Sequence, residues 1–211
     1  MKPDGQLFDL ADERQPGFTY SAPAGSAFPP VLDACCGGRA MWFDRADGRA
    51  LYVDKRSETV IFKSATGDRE HHVRPDIVAD FTSLPFPSDT FALVVFDPPH
   101  VQRDLPLGNL TKRYGCLNGE WRDMLRKGFA ECFRVLRPDG VLVFKWSSVQ
   151  FPLRDILALT PEKPLFGHQS GMRMQTHWVA FLKQNAPRHF PARSDGKMHA
   201  DVGASGSPNA G

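Results

Sequence analysis

The sequence lacks the features of secreted, membrane-spanning and metal-dependent proteins. It has only four cysteines in 211 residues, two of them adjacent at 35 and 36, which suits neither a disulfide framework nor a zinc site. No apolar run approaches the roughly 20 residues that cross a bilayer, and the first residues carry acids in place of the apolar stretch of a signal peptide. The net charge is only +2. We therefore expect a cytoplasmic protein with reduced thiols, no bound metal and no membrane contact.

The composition that is present is that of one globular domain, with 41% hydrophobic and 24% charged residues. Residues 1–29 are rich in Gly, Pro, Ala and Asp and show no sustained period, so they are predicted to form a flexible N-terminal arm. Residues 185–211 are predicted to form a disordered tail. The remaining segment, 30–184, is long enough for a single stable core.

Short apolar runs alternate with polar or helical stretches across this segment, which is the βαβ pattern of a parallel sheet. Strands are predicted at 31–35, 50–54, 76–80, 91–96 and 141–146, followed by a closing antiparallel hairpin at 164–168 and 177–182. The apolar spacing over 119–136 predicts a helix, and a shorter one is expected at 153–159. Only 39–48 is available for a helix after the first strand, and His71-His72 fall in a predicted loop. The fold class is α/β, a Rossmann-like doubly wound sheet that is mostly parallel.

Ligands of such sheets bind where the carboxyl ends of the strands meet. A glycine turn at Gly37-Gly38 follows the first predicted strand, and Asp54 ends the second one, 21 positions after Asp33. Glycines allow close approach of a nucleotide-like cofactor, and a carboxylate at this spacing can bind its ribose. The alternative is that these acids only cap the next element.

The run Val31-Leu32-Asp33-Ala34-Cys35-Cys36-Gly37-Gly38 resembles motif I of class I S-adenosylmethionine-dependent methyltransferases. Segments 80–91 and 134–140 are also similar to that family, and the resemblance covers about 30–183. It implies the family's seven-stranded fold and S-adenosylmethionine as the cofactor. The cofactor-binding residues that it implies are Asp33, Ala34, Cys35 and Gly37 around the methionine part, Asp54 at the ribose, and Asp80 and Phe81 at the adenine. The sequence departs from motif I at Cys35 and Arg39, where the family has glycine.

The segment Asp97-Pro98-Pro99-His100 follows the fourth predicted strand and resembles motif IV of methyltransferases that act on planar amino or amide nitrogens. Such a nitrogen is a poor nucleophile because its lone pair is delocalised. The Asp97 carboxylate and a backbone carbonyl near Pro98 would each accept one N–H and favour a tetrahedral nitrogen in the transition state. The prolines fix φ and so hold that carbonyl. His100 stands where the family has an aromatic residue, and the alternative reading of the motif is a simple turn.

Residues on the target side are predicted from charge and position. Between 101 and 127 there are six basic and three acidic residues, which suits a phosphate-backbone substrate, although a solvated helix face has the same pattern. We predict that the substrate is bound by Arg113, Tyr114, Lys145 and Trp146.

The function expected from these residues is methyl transfer to an exocyclic amino nitrogen of a nucleic-acid base, with adenine N6 in DNA favoured, as in small phage and prophage enzymes that the sequence resembles. A base in a duplex would have to be flipped out to reach such a site. The alternatives are a methyltransferase for a small molecule or a protein side chain, and a protein that binds S-adenosylmethionine without catalysis.

Overall fold

A computed structural model describes residues 27–64, 66–102, 109–170 and 175–184. Most of the predicted arm and all of the predicted tail therefore lie outside the described residues. The described elements, in chain order, are β1 (Val31–Asp33), β2 (Ala50–Asp54), β3 (Glu58–Ser64), β4 (Gly67–Val73), β5 (Ile77–Val78), β6 (Phe91–Phe96), α1 (Asn109–Tyr114), α2 (Trp121–Val135), β7 (Leu136–Ser147), α3 (Leu153–Leu157), β8 (Phe166–Ser170) and β9 (Thr176–Leu182).

Seven of the strands form one sheet in the order β5-β2-β1-β6-β7-β9-β8. The pairs β1–β2, β1–β6, β2–β5 and β6–β7 are parallel, whereas β9 is antiparallel to both β7 and β8. The strand order reverses between β1 and β6, which is where doubly wound sheets bind ligands. The predicted fold, a mostly parallel Rossmann-like sheet with a C-terminal antiparallel hairpin, is confirmed.

The long helix α2 packs on one face of the sheet through the apolar side that its sequence spacing predicts. Its ring Phe129 lies 4.9 Å from Phe144 and 5.4 Å from Phe96, measured between ring centroids. Gly128 permits this close approach, because a Cβ there would come within 2.8 Å of both Phe81 and Phe96. Each large side chain buried in this layer contributes about 1.5–3 kcal/mol.

The structure corrects the prediction between β2 and β5. Strands β3 and β4 form an antiparallel hairpin, with Val60 opposite His71 and Thr59 opposite His72, so these histidines lie on a strand and not in a loop. β5 is correspondingly shorter than the predicted 76–80. The β-branched and aromatic residues Thr59, Val60, Ile61 and Phe62, followed by Gly67, were the available signal for a hairpin.

The short helix expected at 39–48 is also absent from this fully described stretch, which forms turns. The turns bring the Trp42 ring edge-on to Tyr52, with 5.0 Å between centroids, on the sheet face opposite α2. A loop therefore covers this part of the sheet, where doubly wound folds usually place a helix. No helix of the described residues is long and apolar enough to span a membrane.

Candidate active site

A cavity of about 390 Å³ opens at the carboxyl ends of β1, β2, β6 and β7. Its volume lies in the range of small-molecule and cofactor pockets. The residues that form its wall come from the turn after β1, the end of β2 and the segment after it, the segments after β5 and β6, the end of α1 and strand β7: Cys35, Cys36, Gly37, Gly38, Ala40, Met41, Asp54, Lys55, Arg56, Phe81, Asp97, Pro98, Pro99, His100, Tyr114, Gly115, Cys116 and Lys145.

The turn after β1 is held against the neighbouring strands by its backbone. Ala34 N–H donates to the Val95 carbonyl at 3.0 Å, and Cys36 N–H donates to the Val53 carbonyl at 2.7 Å. Gly37 takes a φ of +50°, the left-handed conformation that glycine adopts without strain. These bonds place the backbone of the turn along the cavity wall, as the resemblance to motif I implies.

Arg39 also has a positive φ, of 54°, at the position where motif I has glycine. Its guanidinium offsets this conformational cost by stacking over the Tyr52 ring at 3.7 Å and by donating to the carbonyl oxygens of Arg45 and Arg74, each at 2.7 Å. It also pairs with Asp76 at 3.1 Å. The departure from the family pattern is therefore absorbed by contacts below the turn, and the side chain does not line the cavity.

Asp33 lies beneath the cavity and is fully buried. One carboxylate oxygen accepts a hydrogen bond from Trp42 Nε1 at 2.7 Å, and the other accepts one from the Cys35 N–H at 3.4 Å. Burial raises the pKa of Asp33 to about 7. Its neighbour Ala34 is buried as well, so of the four residues predicted around the methionine part only Cys35 and Gly37 face the cavity.

Asp54 lines the cavity at the end of β2. Its Oδ2 accepts the Gly37 N–H at 2.9 Å, and its Oδ1 accepts the Arg56 N–H and Nε–H at 2.9 and 3.2 Å. The carboxylate thus ties the glycine turn to the segment after β2, and its Oδ2 has one further lone pair for a ligand.

The two residues predicted at the adenine are placed differently from each other. Phe81 lines the cavity and packs edge-on against Phe96, with 5.3 Å between centroids. Asp80 does not line it; its Oδ1 accepts hydrogen bonds from the Thr82 N–H and Oγ1–H at 2.9 and 2.8 Å. In this structure Asp80 caps the turn that presents Phe81.

Asp97 lies at the end of β6 and lines the cavity. Its Oδ2 pairs with Lys145 Nζ at 2.5 Å, and the register that places Phe96 opposite Phe144 brings these two residues side by side. Its Oδ1 is buried and has no hydrogen-bond partner among the described residues. A buried carboxylate oxygen without a donor costs free energy, and a ligand N–H would remove that cost.

His100 lines the cavity two residues beyond Pro98. Its Nδ1 lies 3.3 Å from the Pro98 carbonyl oxygen, and its ring meets Trp146 edge-on with 5.9 Å between centroids. Burial lowers the pKa of His100, which favours the neutral imidazole. A neutral ring with a fixed edge contact can pack against a planar ligand.

Trp146 is completely buried and does not line the cavity. Its Nε1 donates to the Phe151 carbonyl at 3.0 Å, and its ring stacks with Phe144. Its contact with the predicted target pocket is therefore indirect, through the His100 ring.

The other target-side residues gather at the end of α1. Tyr114 lines the cavity, whereas the Arg113 guanidinium lies over the rings of Phe62 and Tyr114 at 4.6 and 4.8 Å and donates to the Tyr114 hydroxyl at 2.8 Å. Arg113 therefore clamps Tyr114 to the β3–β4 hairpin. His71 of the hairpin meets Tyr114 edge-on at 5.7 Å.

The contribution of the β3–β4 hairpin to this site was not predicted from the sequence. The His71 ring lies directly over Gly38, where a Cβ would come within 2.5 Å of its Cε1. His71 thus connects the glycine turn to Tyr114, the two sides of the cavity. Met41, Lys55, Arg56, Gly115 and Cys116 also line the cavity and were not predicted to do so.

Three of the four cysteines lie at the cavity wall, at positions 35, 36 and 116. All four are free thiols. Burial raises the pKa values of Cys35 and Cys36 well above the usual range, so these two thiols are protonated and poorly nucleophilic at neutral pH.

Comparisons with known proteins give similarities to solved structures. A Burkholderia thailandensis 1,6-didemethyltoxoflavin-N1-methyltransferase, in complex with 1,6-didemethyltoxoflavin and S-adenosylhomocysteine, is 13% identical over 75% of this chain and 72% of its own, with a TM-score of 0.46. A TehB-like SAM-dependent methyltransferase from Corynebacterium glutamicum is 16% identical over 74% and 79%, with a TM-score of 0.44. A candidate DNA modification methylase from Thermus thermophilus is 19% identical over 55% and 56%, with a TM-score of 0.35. No protein-family model and no curated protein matches the chain.

Proposed function

We propose that this protein is an S-adenosylmethionine-dependent methyltransferase that methylates a planar amino nitrogen. The observation that carries the proposal is the state of Asp97. One of its oxygens is held by Lys145, and the other is buried at the cavity without a donor. This oxygen lacks a hydrogen-bond donor, and an N–H of the nitrogen that receives the methyl group would supply one.

Other residues of the cavity wall fit the cofactor. Gly37 exposes backbone without a side chain, Asp54 Oδ2 keeps one lone pair for a ribose hydroxyl, and Phe81 offers an apolar surface to the adenine. S-adenosylmethionine would supply a methyl group on a positively charged sulfur. The chain's part is to hold that group and the acceptor nitrogen in line.

Asp97 acts on the acceptor nitrogen. When its Oδ1 accepts one N–H, the nitrogen's lone pair turns out of conjugation and toward the methyl group. The nitrogen would then accept the methyl group that S-adenosylmethionine, if held at Gly37, Asp54 and Phe81, would supply, and the cofactor would be left as its neutral thioether. The nitrogen then gives a proton to Oδ1, which passes it to solvent. Because the new charge on nitrogen lies beside a fixed carboxylate, stabilisation is concentrated in the transition state.

A nucleic-acid base is the acceptor that the surroundings of Asp97 favour. The His100 and Tyr114 rings can flank a planar base, and Lys55 places positive charge at the cavity wall. Adenine N6 in DNA is our first candidate, with the base flipped out of the helix. Small-molecule and protein acceptors are the alternatives that the experiment must separate.

The test is transfer of tritiated methyl from S-adenosylmethionine to duplex DNA, single-stranded DNA, total RNA, protein extract and a metabolite fraction. Each acceptor is assayed with the wild type, with Asp97→Asn and with Asp89→Asn. Asp89 is a matched control because it also pairs with a lysine, Lys183, at 2.7 Å, but does not line the cavity.

Label in DNA or RNA that Asp97→Asn loses and Asp89→Asn keeps is the expected result, and nucleoside digestion then identifies the atom. Label confined to protein or metabolites would exclude a nucleic-acid acceptor. Cofactor binding by the wild type without label in any fraction would instead favour a binding protein.

A further inference from the structure

We propose that Asp97 and Lys145 together recognise two adjacent groups of the substrate, an N–H donor and a neighbouring atom with a lone pair. The nitrogen that receives the methyl group would then belong to an amidine-like or amide-like group. Simple amines would be excluded as substrates. This inference rests on the proposed methyl transfer at Asp97 and specifies its substrate class.

The ion pair of Asp97 and Lys145 lies at the cavity wall. Both side chains line the cavity, with the Lys145 side chain 24% and the Asp97 side chain 17% exposed. Within the described residues, the pair therefore presents to the cavity an acceptor, Asp97 Oδ1, beside the ammonium group of Lys145.

Lys145 has more N–H donors than its bond to Asp97 uses. An ammonium group has three N–H donors. One is used on Asp97 Oδ2, and the group also lies 5.7 Å from the centre of the Trp178 ring. Among the described residues no other hydrogen bond from Nζ is found. A ligand atom with a lone pair can therefore accept from it while its neighbouring N–H reaches Asp97.

Several planar groups carry the N–H donor and the adjacent lone pair that Asp97 and Lys145 would bind. Adenine has N6–H next to N1, cytosine has N4–H next to N3, and a carboxamide has N–H next to its oxygen. Each offers a donor and an acceptor on adjacent groups. A lysine-type amine offers donors only and would leave the Lys145 ammonium facing another cationic group. A site built to hydrogen-bond a particular atom discriminates strongly against the analogue that lacks it.

The experiment uses oligonucleotides in which the methylated base loses only its ring acceptor, 1-deazaadenine for adenine and 3-deazacytosine for cytosine. kcat/KM is measured for the wild type, for Lys145→Met and for the control Lys183→Met, with thermal melting and S-adenosylmethionine binding as checks on folding. Because the wild type alone tests the analogue, the result does not depend on Lys145→Met folding.

We expect the wild type and Lys183→Met to prefer the parent base by about 10- to 100-fold, and Lys145→Met to treat parent and analogue within about twofold. Equal use of both bases by the wild type, or unchanged preference in a folded Lys145→Met, would overturn the inference and leave the proposed function intact. Transfer only to a simple amine would overturn the inference together with the proposed methylation of a planar amino nitrogen. Transfer to a carboxamide of a protein or metabolite would exclude the nucleic acid and support the inference.

Discussion

The two ends of the sheet each carry an aspartate paired with a lysine. At the cavity end Asp97 lies 2.5 Å from Lys145, and at the other end Asp89 lies 2.7 Å from Lys183. Both lysine side chains are 24% exposed, but the carboxylates differ, at 17% for Asp97 and 52% for Asp89. The two pairs have the same chemistry and nearly the same length.

The difference lies in what surrounds each pair. Lys183 also donates to the Leu136 carbonyl at 2.6 Å, and Asp89 is half in solvent, so water can satisfy its oxygens. Asp97 keeps one buried oxygen without a donor, inside a cavity. An ion pair joins the strands at either end, but only the cavity end leaves a polar atom whose partner must come from outside. The feature that distinguishes the site is therefore the buried oxygen without a hydrogen-bond donor, and not the ion pair itself.

The largest effect should follow from removing the carboxylate charge at the cavity end, compared with the same change at the other end. Asp97→Asn replaces an acceptor-only group with an amide, and we expect methyl transfer to fall by about 10²- to 10³-fold. Asp89→Asn should stay within about twofold of the wild type, because an exposed pair contributes little. Single-turnover rates with saturating S-adenosylmethionine measure this, and equal losses in the two variants would remove the distinction between the ends.

A second difference between the ends is that the cavity end contains a buried acid whose ionisation is costly. The pKa of Asp33 is raised by burial from an ordinary value of 3.8 to about 7. The folded state therefore binds more protons than the unfolded state between these values, and stability falls as the pH rises through them. From about pH 5.5 to 8 this group alone should lower the free energy of unfolding by about 2 kcal/mol.

Urea unfolding of the wild type and Asp33→Asn across that range measures this dependence as the difference between the two curves. Asn cannot ionise, so the variant should lack the contribution. Parallel curves for the two proteins would show that Asp33 is not a buried acid with a raised pKa.

A third prediction concerns the contact that joins the two sides of the cavity. Gly38→Ala would place a Cβ within 2.5 Å of the His71 ring, so the turn or the hairpin must move. We expect about tenfold weaker S-adenosylmethionine binding, measured by calorimetry, and partial recovery in the Gly38→Ala/His71→Ala double variant because the clash is removed. Additive losses in the double variant would argue against this contact. Gly67→Ala, which is strained by a φ of +109° but has open space around its Cβ position, controls for backbone strain without a clash.

The smallest effect should come from the end without a cavity. Arg134 pairs with Glu131 at 2.7 Å and donates to the carbonyl oxygens of Phe86 and Leu84 at 2.7 and 2.9 Å. Because its side chain is about one third exposed, Arg134→Met should lower the free energy of unfolding by only about 1 kcal/mol. Thermal melting measures this, and kcat should not change. A loss of activity without a loss of stability would show that this end also contributes to the site.

Much of the fold could be predicted from the sequence because its signals are local. The strands at 50–54 and 91–96 have the predicted bounds, and the periodicity over 119–136 forms α2. The β3–β4 hairpin was not predicted because most of its residues are exposed and its apolar pattern is weak. The contact that holds it to the glycine turn, between the His71 ring and Gly38, also joins residues 33 positions apart.

The site shows the same division. Asp97 and Asp54 could be predicted to face the cavity because each ends an apolar strand of a parallel sheet, where side chains converge. Asp33 and Trp146 could not be distinguished from them by position, although the structure buries both. Side-chain burial depends on which neighbours pack above a strand end, and the sequence pattern does not contain that information.

The sequence by itself determined the succession along the chain of the seven strands of the main sheet, the position of α2, the glycine turn at Gly37 and the acids at the strand ends, because these follow from periodicity and backbone sterics within a few residues. Only the tertiary structure decided that Lys145 binds Asp97, since this requires the register of β6 against β7 across 48 positions. It alone also decided that one Asp97 oxygen is left without a donor, because an unmet hydrogen bond is a property of everything packed around an atom.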